Sequence, residues 1–330
     1  MIRQDKYKIT SMRLLSILFL LFGYSSFGQD KSYKIVYNVF EDTAKDNYDI
    51  YVMNMDGSGK KNITNTAGVE WAYLAYKDKI FFISDRDTCH RCYFLYEMNV
   101  DGNQVKKLSQ LQLEDSWMSS RKNGTEMIVL GRVGKLRAQL FLVNLADGKY
   151  QQITNDTISS KRDPLFLPGG NEIVMAYRPD RNLRSTVPDE LWKFNFNTRQ
   201  DGSIELGNQK SQLTFFPKDD TTTEWFRYHA GPPQWNSKYQ FITYLSRQKQ
   251  QNQIYAVTPD GKKQWQLTSG DLSSGWHSWS PDGEWLVMDK STHSAKGYDI
   301  YLMNYSFKKT IRLTDSWKTE QAPCFVEIKK

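Results

Sequence analysis

The hydrophobic positions fall into short runs separated by turn residues, and two kinds of run recur along the chain. The first, Ile-Tyr-Val-Met-Asn at residues 50–54, returns in degenerate form at 95–99, 140–144, 191–195, 254–258 and 300–304. The second closes on Leu-Thr or a close variant, at Thr64, Ser109, Thr154, Thr214, Thr268 and Thr314, so successive closings lie 45, 45, 60, 54 and 46 residues apart. Runs this short, rich in β-branched and aromatic residues and bounded by turn residues, predict strands. A period of this length predicts one four-stranded propeller blade per repeat.

A third recurring element places the strands within each blade. The turn Trp-Ser-Pro-Asp-Gly at 279–283 separates a first, innermost strand from the second, and degenerate copies stand at 122–124, 168–170 and 236–238. Residues 34–39 read as a second-type strand with no innermost strand before them. Residues 321–328 instead carry Pro323 and Phe325 in the Pro-x-aromatic pattern of innermost strands, as in Pro164 with Phe166 and Pro233 with Trp235. The predicted fold is therefore an all-β, six-bladed propeller whose last strand completes the first blade, which protects the sheet edges that an open row of blades would leave bare. Blade 1 takes residues 33–64 with 321–328, and blades 2 to 6 take 70–109, 115–154, 161–214, 224–268 and 275–314. The N-terminal residues 1–28 read as a secretory signal. An apolar run at 14–22, too short to span a bilayer, follows Arg13, and small residues precede an expected cleavage between Gly28 and Gln29, with Met12 an alternative start. No Cys stands there for lipid attachment. The expected product is exported, monomeric and not membrane-spanning.

The sequence carries a net charge of +7, and loss of the signal's four basic residues and one acidic residue leaves +4. The remaining Lys and Arg are scattered, without the dense basic tract of a nucleic-acid binder. Cys89 and Cys92, in the connection between the second and third strands of blade 2, are expected to form a local disulfide in an exported chain, and Cys324 to be a buried apolar residue. The Asp-Gly pairs at 56, 101, 147 and 260 suit tight hairpins better than calcium loops. Neither a Gly-x-Ser-x-Gly elbow nor a cofactor motif is present, and no cofactor is expected.

With these motifs, namely residues 50–57 (Ile-Tyr-Val-Met-Asn-Met-Asp-Gly), 84–87 (Ser-Asp-Arg-Asp), 279–283 and 300–304, the sequence resembles the TolB family of six-bladed propellers over residues 33–328. The α/β domain that precedes the propeller in TolB has no counterpart between residues 28 and 33. The resemblance implies a fold strongly and a function weakly. Binding in propellers concentrates where the innermost strands converge on the channel mouth. Aligning those strands places Trp71, Trp117, Asp163, Pro232, Trp276 and Ala322 at one equivalent position, with Asp115, Arg162, His277 and Gln321 nearby. The three Trp could form a rim for a sugar ring or an apolar peptide side chain, or could fill the core between blades. The expected ligand is a peptide of an envelope protein or a saccharide. An alternative is a metal-dependent lyase of polysaccharide fragments, because related propeller lyases hold a metal with His and Gln in the funnel; His277, His229 and Gln321 are its candidate carriers here, and no paired-His spacing supports it. A structural part of a cell-surface assembly is a third class.

Overall fold

A computed structural model describes residues 32–328 apart from 43, 135, 186 and 292–296; the expected signal segment lies outside the described residues. Among these residues the strands form six antiparallel sheets set in a ring. Blade 1 has the strand order Thr319–Ile328, Ser32–Asp42, Asn47–Asn54, Lys61–Asn62, so the last strand is the innermost strand of the first blade, with Val36 opposite Cys324 and Ile35 opposite Phe325. The ring closes as the sequence predicts. Blade 3 departs from the simple plan, because its innermost strand is split into Gln112–Leu113 and Ser119–Arg121 around the exposed Asp115. Blade 5 begins its first strand at Ala230, and the residues from 224 belong instead to a connection with a 3-10 turn, Trp225–Arg227.

Each of six apolar clusters fills the gap between neighbouring blades. Ile50 and Val52 of blade 1 pack with Ile80 and Phe82 of blade 2, for example, and Ile35 and Met53 of blade 1 with Val287 and Ile300 of blade 6. Because both faces of a blade are covered, the second strand is a run of buried residues rather than an alternation: Ile80, Phe81, Phe82 and Ile83 are all buried.

The two sequence signatures of the repeat have physical causes. The closing Thr is a clasp: its hydroxyl oxygen accepts from the backbone N–H of the first apolar residue of the third strand, and its O–H donates to the side chain just before that residue. Thr64 joins Ile50 N and Asp49, Thr154 joins Leu140 N and Gln139, Thr214 joins Leu191 N and Glu190, and Thr268 joins Ile254 N and Gln253, all at 2.5–3.0 Å. The Asp-Gly hairpins serve packing as well as the turn. Asp56, Asp101, Asp147 and Asp260 accept from the backbone two residues on, and the glycine meets the previous blade's closing strand. A Cβ on Gly102 would lie 2.3 Å from Ile63 O, and one on Gly148 2.4 Å from Leu108 O. Both glycines have φ near +80°.

Candidate functional site

In the innermost strands of blades 1, 4, 5 and 6 two residues stand opposite one on the second strand: Ala322 and Pro323, Asp163 and Pro164, Gly231 and Pro232, Gly275 and Trp276. These bulges re-aim the side chains next to them. The result is a cavity of about 620 Å³ at the channel mouth, lined by Trp71, Trp117, Arg162, Asp163, Trp276 and Gln321 among the expected residues.

The three Trp meet one another. Trp276 lies with its ring 5.6 Å from Trp71 and 5.3 Å from Trp117, Tyr73 lies 4.7 Å from Trp117, and Tyr48 lies 5.0 Å from Trp71. Drawn from blades 1, 2, 3 and 6, these rings form one aromatic floor. The rings pack against the core between blades 2 and 3 and also line the cavity. Trp71 is 9% exposed and its indole N–H has no hydrogen-bond partner.

The polar residues have more specific roles than the sequence shows. Asp163, at φ 56°, fastens blade 4 to blade 3: its Oδ1 accepts from Ser116 Oγ and from Trp117 N, each at 3.0 Å, and its own N–H donates to Ser116 Oγ at 2.8 Å. Burial holds its carboxyl above the usual range, against the opposing pull of Arg162. Arg162 is half exposed and donates to Asp189 Oδ2 at 2.5 Å, while the buried Arg178 donates to Asp189 Oδ1. One carboxylate therefore serves two guanidinium groups on the blade 4 wall. His229 lines the cavity, and burial, with Arg162 nearby, holds its ring below its ordinary pKa. The exposed Asp115 accepts a hydrogen bond from the Tyr73 hydroxyl.

His277 is not among the lining residues. It is 1% exposed and its Nε2 lies 2.8 Å from Thr243 Oγ1, which also accepts from the Trp279 indole at 3.0 Å. The bulge at Gly275 and Trp276 leaves Trp276 lining the cavity and sets His277 against blade 5, where burial pushes its pKa down to about 3. The expected trio His277, His229 and Gln321 is therefore not assembled. Among the described residues no group of three or more His, Cys, Asp or Glu is placed to hold a metal ion. Cys89 and Cys92 are joined in a disulfide, and Cys324 is buried. Sequence reasoning misses Arg91, Asp189 and the segment from Phe226 to Tyr228, all of which shape the mouth. An Arg enclosed by two Cys was the one visible signal among them.

No family model matches the sequence, and no curated protein matches it either. The fold does have relatives among solved structures. It superposes on TolB from Acinetobacter baumannii with a TM-score of 0.64 at 15% identity over 88% of this chain, which spans 66% of that protein's length. A structure from Agrobacterium tumefaciens assigned to TolB gives 0.58 at 14% identity, covering 88% of this chain and 91% of that one. An oligogalacturonate lyase in complex with manganese gives 0.51 at 15% identity, covering 81% and 70%. The fold is that of a TolB-like propeller. At such identities the likeness concerns the fold alone.

Proposed function

We propose that the chain is an exported binding module of the cell envelope, whose ligand is a peptide segment of an envelope protein or a saccharide seated at the channel mouth. The observation that carries this reading is the cavity floor, where Trp71, Trp117 and Trp276 from three blades come together below charged walls. Such a floor offers a large apolar area at little cost in side-chain entropy, and the paired Arg and Asp groups around it suit recognition of an extended polar ligand. The lyase reading is weaker here, because its three candidate metal carriers do not converge.

The test is titration of the purified protein with envelope-protein peptides and oligosaccharides, followed by tryptophan fluorescence. Removal of a central ring by Trp276→Ala is expected to weaken binding by about 2 kcal/mol, roughly thirtyfold, with Trp276→Phe in between. A metal bound in stoichiometric amount and lost in His229→Ala, with cleavage of a polyuronate, would replace the binding reading with the lyase.

A further inference from the structure

Cys89 and Cys92 lie in the connection between the second and third strands of blade 2, with Cα atoms 5.2 Å apart. A bridge over two intervening residues restricts the unfolded chain less than one that closes a long loop, since the entropic effect grows with the loop that is closed. Neither cysteine belongs to the apolar clusters between blades. The bridge therefore does little for the propeller as a whole, and its effect is local.

What it encloses is Arg91, held at φ 58°. The Arg91 N–H donates to Asp85 Oδ2 at 2.8 Å, and Cys92 N–H to Cys89 O at 2.8 Å. The guanidinium crosses to blade 1, where Nε and Nη2 donate to the two oxygens of Asp46 at 2.7 and 2.8 Å, while Nη1 donates to Tyr93 Oη at 3.1 Å. His90 lies 3.1 Å from the same Asp46 and 3.4 Å from Asp85. Arg91 lines the mouth cavity together with Tyr48, Trp71 and Tyr93. Cys89 is exposed and Cys92 partly so, which leaves the bridge open to a reagent in solvent.

We propose that Cys89–Cys92 is a thiol–disulfide exchange site for small or protein dithiols, and that its oxidation state sets whether Arg91 is held against Asp46 at the mouth. In the first step a dithiol's thiolate attacks one bridge sulfur, forming a mixed disulfide and releasing the other cysteine as a thiolate that takes up a proton. The reductant's second thiol then displaces the first cysteine, so that two electrons pass to the bridge and the dithiol leaves as its own disulfide. The inference does not depend on the cavity's ligand.

The experiment treats the native protein with dithiothreitol, then with iodoacetamide or a brief exposure to trypsin, and reads each site by mass spectrometry. Alkylation of Cys89 and Cys92 is expected while the buried Cys324 stays unmodified, together with cleavage after Arg91 at least tenfold faster than in the oxidised protein. The Cys89→Ser, Cys92→Ser double variant should show the fast cleavage without reductant and melt within a few degrees of the parent. Alkylation of Cys89 and Cys92 only in step with Cys324, as the fold opens, would overturn the proposal. So would an unchanged rate of cleavage after Arg91 once both are reduced.

Discussion

Asp163→Ala tests whether the carboxylate that fastens blade 4 to blade 3 at the mouth serves the fold or a ligand. The side chain's Oδ1 is the acceptor for the Trp117 N–H and the Ser116 hydroxyl. Removing it strands two donors at a buried junction, at about 1–3 kcal/mol each. Ala at φ 56° adds about 1 kcal/mol of backbone strain that Asp or Asn tolerates better. The sum is about 5 kcal/mol, a fall in melting temperature of about 10 °C for a chain of this size. Asp163→Asn retains the Oδ1 acceptor and the tolerated φ, and it replaces a carboxyl that burial already disfavours in its charged form, so it should melt within about 1 kcal/mol of the parent. Thermal and urea unfolding followed by circular dichroism measure both. The reasoning is refuted if Ala is as stable as the parent, or if Asn is as damaging as Ala. In the first case the latch carries no energy; in the second the charge itself is required.

Two further perturbations test the clasp and the packing between blades. Burial raises the Glu190 carboxyl from 4.5 to about 7 even though Thr214 and Tyr228 donate to it. The folded protein then keeps a proton that the unfolded chain has released, so stability is fully present below pH 4.5 and falls by up to about 3 kcal/mol as pH rises to 7. Glu190→Gln should remove that share of the slope in melting scans from pH 4.5 to 8, because Gln139 and Gln253 already fill the same position in blades 3 and 5, while Asp289, which burial raises to about 8, keeps its own share; a slope as steep as the parent's would place its source elsewhere. Gly102→Ala should cost about 2–4 kcal/mol, from the positive φ and the contact with Ile63 O. Gly202→Ala, also at positive φ but with nothing within 4 Å, should cost about 1, and equal losses at the two sites would show that blade contact is not the cause.

The blades were legible because their signals are local and repeated. Leu-Thr closings and Asp-Gly hairpins each answer a hydrogen bond or a close approach that most of the blades make, so the imperfect copies reinforce one another. The site was legible only where side chains follow strand position. Counting along the innermost strands finds Trp71, Trp117 and Trp276, but the bulge beside Trp276 changes which neighbour faces inward, and His277 is lost to the cavity for that reason. The partnership of Arg91 with Asp46 spans 45 residues and two blades, and nothing in either segment announces it.

The pairing of Thr319–Ile328 with Ser32–Asp42 sets an order on the making of the molecule. Asn38 donates to Ala322 O across 284 residues of intervening chain, and Asp289 accepts from the Ala322 N–H to tie the same strand to blade 6. Until that last strand arrives, blade 1 is a sheet without its inner edge and blade 6 faces a gap. A chain that emerges N-terminus first cannot complete its ring before residues 319–328 have been made. The closing strand is the place where a chain stopped short of residue 319 would expose an edge to other proteins.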